Sequence, residues 1–159
     1  MRARFVNENV FQRGRSVKDT LGLGKRALIK KWFDDLGKSS NEYVINDDFS
    51  IDYKNGLYLE NTKITKLPDN LTVHGWLDLT NTKITELPDN LTIHGYLDLD
   101  NTNITKLPNN LIFNNSLYLA NTKITKLPNN LTVKDNIYIT KDMKLTYVPG
   151  HLKNKVKIW

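Results

Sequence analysis

The sequence contains no cysteine in 159 residues, which excludes a disulfide framework and thiolate chemistry and fits a reducing compartment. No stretch approaches the roughly 20 consecutive apolar residues of a membrane span, and the first residues lack the apolar run of a secretory signal. The expectation is a soluble intracellular protein. Proline is scarce, and four of the five prolines stand at the same place in a repeating phrase, at positions 68, 88, 108 and 128. Acidic charge is scarce in one part of the chain. Residues 1–40 hold 10 Lys/Arg against 4 Asp/Glu, whereas residues 41–159 hold 13 of each, so the whole net charge of +6 sits in the first 40 residues. Electrostatic attraction to phosphates would have to come from there, not from the body.

What is present is a repeat. NTKITKLPDN at 61, NTKITELPDN at 81, NTNITKLPNN at 101 and NTKITKLPNN at 121 recur every 20 residues without insertion. A fixed period of this length indicates stacked solenoid turns. Within a turn, Leu71 and Val73 alternate with outward residues, Leu77 and Leu79 do the same, and Ile84 and Leu87 follow the Asn-Thr pair. Period-two spacing with β-branched residues predicts short strands. Gly75 and its equivalents Gly95, Asn115 and Asp135 predict a corner between two strands, because all tolerate a left-handed backbone. The Leu-Pro pairs predict a second bend, since proline cannot donate to a sheet ladder.

One turn cannot bury enough surface to stand alone, so neighbours must supply its contacts. The stack then needs capped ends. RALIKKWFDDLG (26–37) places Leu28, Ile29, Trp32, Phe33 and Leu36 on one helical face with Gly37 as a stop, and it is expected to cap the first turn. YVINDDFSIDY (43–53) reads as a lead-in strand pair. MKLTYVPGHL repeats the core pattern with Pro149 one residue late, and VKIW (156–159) reads as a closing strand. The organisation expected is a basic extended arm at 1–24, a capping helix and lead-in strands at 25–56, repeats at 57–140 and a degenerate capping turn at 141–159.

The run L-x-L-x-x-T-x-I-x-x-L-P resembles the leucine-rich repeat, in the short 20-residue form of bacterial effectors and phage proteins. The resemblance covers residues 57 to about 152. It implies a mainly β, right-handed stack of about five turns with an N-terminal α-helical cap, acting as a non-enzymatic protein-binding module. Thr62, Thr82, Thr102 and Thr122 stand where that family buries an asparagine, and Asn61, Asn81, Asn101 and Asn121 come one residue earlier, so a flatter β-helix is the alternative shape. RFVNENVFQRGRSVKDTLGLGKR (4–26) is similar to opening segments of tailed-phage proteins, which implies a docking segment and a site of action in an infected bacterium's cytoplasm or in the virion.

On the leucine-rich-repeat reading, the outward strand positions form three columns: Gly56, Trp76, Tyr96, Ser116 and Asn136; Tyr58, Asp78, Asp98, Tyr118 and Tyr138; and Glu60, Thr80, Asp100, Ala120 and Thr140. Tyr58, Glu60, Trp76, Asp78, Tyr96, Asp98, Asp100, Tyr118 and Tyr138 are the candidate protein-binding residues, because exposed aromatics beside carboxylates have the composition of a binding patch. Lys63, Lys66, Lys83, Lys106, Lys123 and Lys126 fall outside the strands, which predicts acid on the sheet and base on the turn. Such a sheet suits a basic segment, a partner's or the chain's own.

The arm, with Arg2, Arg4, Arg13, Arg15, Lys25, Arg26, Lys30 and Lys31, could dock on protein or hold phosphates, so a nucleic-acid-associated or virion-interior protein is the second function class. An ice- or glycan-binding solenoid is the third, using the threonine columns at 62/82/102/122 and 65/85/105/125 or the aromatic column. His74 and His94 are expected to be neighbours, but two imidazoles make a poor metal site. GLGK at 22–25 lacks the first glycine and the Ser/Thr of a phosphate loop, and its glycines are expected to break the chain. No nucleophile, base and acid recur together, so neither catalytic residues nor a cofactor are expected.

Overall fold

The computed structural model describes residues 17–109 and 111–159. Arg2, Arg4, Arg13 and Arg15 of the basic arm lie outside them. The chain divides into two units, Met1–Ser39 and Ser40–Trp159.

Among the described residues of the first unit one helix, α1, spans Val17–Asp35. It runs through Gly22 and Gly24 without a break, so residues 17–24 are helical where an extended arm was expected. Each glycine costs a helix about 1 kcal/mol relative to alanine. Leucines and lysines on either side of the pair are good helix formers, so the helix continues. Ile29 and Phe33 are buried, and Trp32 meets Phe33 edge to face at 4.9 Å. Leu28, expected on the same face, is instead 71% exposed. At about 100° per residue it lies well round the helix from Phe33. Gly37 ends the helix as expected. Its φ is +68, its N–H donates to the Asp34 carbonyl, and the Lys38 N–H donates to the Phe33 carbonyl, which together make a Schellman stop.

The second unit is a β-solenoid of about five turns. Its strands are β1 (Tyr43–Ile45), β2 (Ile51–Tyr53), β3 (Leu57–Tyr58), β4 (Leu71–Val73), β5 (Leu77–Asp78), β6 (Thr92–Ile93), β7 (Leu97–Asp98), β8 (Ile112–Phe113), β9 (Leu117–Tyr118), β10 (Thr132–Val133), β11 (Ile137–Ile139) and β12 (Val156–Ile158). They form two six-stranded sheets, ordered β1-β2-β4-β6-β8-β10 and β12-β11-β9-β7-β5-β3. Each repeat gives one strand to each sheet. Pairing is parallel at an offset of one period, as in Leu57 to Leu77 to Leu97 to Leu117 to Ile137, apart from the antiparallel lead-in pair of β1 and β2 and the final pair of β11 and β12, which is parallel but one residue short. The strands are only two or three residues long because a corner or a turn follows each one. Between the sheets Leu77, Leu79, Ile84, Leu87, Leu91 and Ile93 are all buried, and equivalent residues do the same in the later repeats; in the first repeat Ile64, the counterpart of Ile84, is only half-buried.

The corner is where expected, but its glycines serve another purpose. Neither Gly75 nor Gly95 has a positive φ. A Cβ on Gly75 would stand 2.6 Å from the Gly56 amide nitrogen, and one on Gly95 would stand 2.6 Å from the Gly75 carbonyl oxygen. These glycines allow the close stacking of backbones. The left-handed position that recurs in every repeat is the first asparagine of the repeated phrase: Asn61, Asn81, Asn101 and Asn121 have φ between +56 and +59. In each case the following threonine N–H donates to the leucine carbonyl three residues back, as from Thr82 to Leu79 at 3.1 Å. Asparagine therefore occupies the turn position that favours glycine or asparagine.

The last turn departs from the period. Val156 pairs with Ile137 and continues the second sheet, while the first sheet gains no strand after β10. A 3-10 helix at Gly150–Lys155 comes instead. Its Lys155 Nζ donates to the Lys134 carbonyl at 2.6 Å, and the His151 ring nitrogen lies 3.1 Å from the Leu131 carbonyl oxygen. Both carbonyls flank β10, so side chains satisfy part of the edge that a strand would have paired.

Candidate functional site

The outward side chains of the second sheet make the candidate site. Inward Leu57, Leu77, Leu97, Leu117 and Ile137 fix the strands, and strand alternation turns Tyr58, Asp78, Asp98, Tyr118 and Tyr138 to the other side. Parallel register then sets rings in adjacent turns against one another. Tyr58 meets Trp76 at 6.4 Å between centroids, Trp76 meets Tyr96 at 5.1 Å, Tyr96 meets Tyr118 at 6.1 Å and Tyr118 meets Tyr138 at 4.9 Å. The result is a continuous aromatic ribbon across the sheet.

A groove of about 410 Å³ opens along it, lined by Tyr58, Trp76, Leu77, Asp78, Tyr96, Asp98 and Tyr118. Six of the nine candidate protein-binding residues thus share one cavity. Glu60 lies in the exposed turn after β3, and Asp100 and Tyr138 lie beside the groove without lining it. Tyr58 and Trp76 remain about half exposed, at 47% and 50%. Two members of the expected columns are not exposed: Ser116 and Ala120 are only 4% and 6% accessible, short side chains among longer neighbours.

Trp159 is a ribbon member that the sequence reading left out. Its ring lies 5.7 Å from Tyr118 and 5.4 Å from Tyr138. Reading VKIW in the register of IYIT (137–140) would have put Trp159 in the Thr140 column. The shortened last turn hid that alignment.

The carboxylates are held by backbone amides. Asp78 accepts from the Thr80 N–H at 2.9 Å, Asp98 from the Asp100 N–H at 2.9 Å, and Asp100 from the Ala120 N–H of the next turn at 2.6 Å. Burial raises the pKa of Asp98, and the Asp78 charge adds to it, against the Asp100 N–H and the Thr80 hydroxyl, which lower it. Burial and then the Asp98 charge push Asp100 up from its ordinary value of 3.8 to about 6. Burial followed by the neighbouring Tyr138 and Tyr96 raises Tyr118 as well.

The other expected features have separate places. Lys63, Lys66, Lys83, Lys106, Lys123 and Lys126 are all exposed on the strandless side of the turn, with Lys66 3.3 Å from Glu86. Thr82 and Thr102 are buried, and their hydroxyls donate to the Leu79 and Leu99 carbonyls at 2.7 Å, so they offer no outward array. Thr65, Thr85, Thr105 and Thr125 are exposed. His74 and His94 stack at 5.0 Å, as neighbours in adjacent turns should, and His74 lies 3.1 Å from Asp52. The Asn46 amide and then His74 hold the Asp52 carboxyl below its ordinary pKa. No group of three metal-ligating residues occurs among the described residues. Of the basic segment, Lys25 and Arg26 lie on α1, and Lys30 and Lys31 pair with Asp34 and Asp35 at 2.6 Å.

No protein-family model matches the chain, and no curated protein or solved structure is significantly similar to it. Among the described residues no helix is long and apolar enough to cross a membrane.

Proposed function

We propose that the chain is a non-enzymatic repeat protein that binds a partner protein through the outer side of its second sheet. The observation that carries this reading is the groove in which Tyr58, Trp76, Tyr96 and Tyr118 stand beside Asp78 and Asp98. Large rings with few rotatable bonds lose little entropy on binding, and the parallel stack already holds them in place. Interface centres are enriched in such residues. The carboxylates count against a nucleic-acid backbone at this surface, because phosphates would be repelled.

The constant period, the L-x-L strand and the Leu-Pro bend support a place among short leucine-rich repeat proteins. The opening segment supports a phage origin, with action in the infected cell's cytoplasm or in the virion. A photo-reactive phenylalanine analogue placed at Trp76, with one at exposed Thr85 as control, tests the binding role in a bacterial host lysate treated with nuclease. Protein cross-links from position 76 and not from 85 are expected. Cross-links to nucleic acid, or none from position 76, would count against it.

A further inference from the structure

Three features of the groove restrict what it can hold. The first is the orientation of the rings. Tyr58 and Trp76 are inclined at 77°, Trp76 and Tyr96 at 78°, and Tyr96 and Tyr118 at 53°. Successive rings therefore face in different directions and enclose a space from several sides. A flat ligand such as a sugar ring stacks best on a coplanar platform. The near-parallel pair, Tyr118 and Tyr138 at 14°, lies at the end of the ribbon, where Tyr138 is outside the lining.

The second is charge. Asp78 and Asp98 are direct partners in parallel register on β5 and β7, strands that run about 4.8 Å apart. Like charges so placed repel each other. Among the described residues the lining contains no basic residue, and no lysine or arginine forms an ion pair with Asp78, Asp98 or Asp100. The third is rigidity. Backbone amides hold one oxygen of each carboxylate, so the acids cannot swing away to solvent without breaking those bonds.

We infer that the groove over β3, β5, β7 and β9 is a cage for a side-chain cation, an arginine or lysine carried on an extended basic segment of the partner protein. Aromatic rings that line such a groove attract a cation through their quadrupoles. A guanidinium can donate to two carboxylates at once, which offsets the repulsion between Asp78 and Asp98. The elevated pKa of Asp98 agrees with this, since burial leaves its charge poorly solvated until a cation arrives. The inference rests on the binding role proposed above, and specifies the chemistry recognised.

The test is calorimetric titration of the full chain with a short extended peptide of alternating arginine and threonine, beside the same peptide carrying uncharged citrulline for arginine. The arginine peptide is expected to bind in a salt-sensitive manner, and the citrulline peptide at least roughly tenfold more weakly, as loss of a partly desolvated cation–π contact implies. Asp98→Asn, nearly isosteric, and Trp76→Ala, at a half-exposed ring, should each weaken binding about tenfold while circular dichroism shows an intact fold. Lys83→Ala should leave it unchanged. Equal binding of both peptides, no binding of the arginine peptide, or an unaffected Asp98→Asn protein would overturn the cage. A protein cross-linked through position 76 whose capture ignored Asp98 would leave the binding role standing and remove the cage alone.

Discussion

Asn81 donates its side-chain amide to the Asn61 side-chain oxygen one turn away at 3.0 Å, and the two residues sit at φ +58 and +59. Asn121 and Asn101 repeat the relationship at 2.8 Å. The same residue thus meets two demands, a left-handed backbone and a rung between turns. Asn81→Ala fails both. It should cost about 1–2 kcal/mol for the backbone and roughly 0.5–1.5 kcal/mol for the lost bond. Asn81→Gly fails only the second. Urea unfolding should rank wild type above the glycine variant and the glycine variant above alanine; an alanine variant as stable as glycine would refute the backbone part.

The corner glycines predict a contrast with the helix. At Gly95 an added Cβ would lie 2.4 Å from the Trp76 ring and 2.6 Å from the Gly75 carbonyl oxygen, and backbone cannot step aside as a side-chain tip can. Gly95→Ala should lose about 1–3 kcal/mol, the range for overpacking. Gly24 has nothing within 4 Å of such a Cβ. Gly24→Ala should raise helicity, with a gain of up to about 1 kcal/mol in α1. Thermal unfolding of the first and far-ultraviolet dichroism of the second read these effects, and equal tolerance at both sites would be the contrary result.

These glycines also mark the limit of what could be read from the sequence. A constant period fixes register, so Leu77 against Leu97, the inward Ile84 and Leu87, and the outward Trp76, Asp78 and Tyr96 were all legible. Glycine at Gly75 and Gly95 meant close approach, not positive φ, and the two causes leave the same letter. The left-handed role fell to Asn81, which the family resemblance presented as a displaced ladder residue. Trp159 was missed because β12 pairs with β11 one residue short of the period. At Ser116 and Ala120 alternation gave the direction of the side chain but not its exposure, which depends on neighbours' sizes.

Thr82 tests how far the leucine-rich-repeat pattern applies. Its hydroxyl donates to the Leu79 carbonyl at 2.7 Å inside a slot with almost no accessible surface. Thr82→Val keeps the shape and removes one hydrogen bond, at about 0.5–1.5 kcal/mol. Thr82→Asn brings in the family's usual residue but adds volume to a filled site, at about 1–3 kcal/mol. Denaturant unfolding should therefore find the asparagine variant no more stable than valine. A stabilising Thr82→Asn would mean that the turn can adopt the family's buried ladder after all.

Asp100 gives the fold a pH dependence whose sign follows from its environment. Burial and the Asp98 charge raise its folded pKa from 3.8 to about 6, so the folded form holds a proton between these values that the unfolded chain has released. Its contribution to stability is greatest below that window and declines as pH rises through about 6. Asp100→Asn removes the charge, and its side-chain oxygen can still accept the Ala120 N–H. The carboxylate is only half-buried, so solvent screens much of the effect. Well above pH 6 the variant should melt about 2–4 °C above wild type. That gap should close below pH 3.8, where wild-type Asp100 is protonated in both states. Melting curves of the two proteins across this range decide the matter. A gap that persists or widens in acid would show that the carboxylate's charge is not what strains the turn.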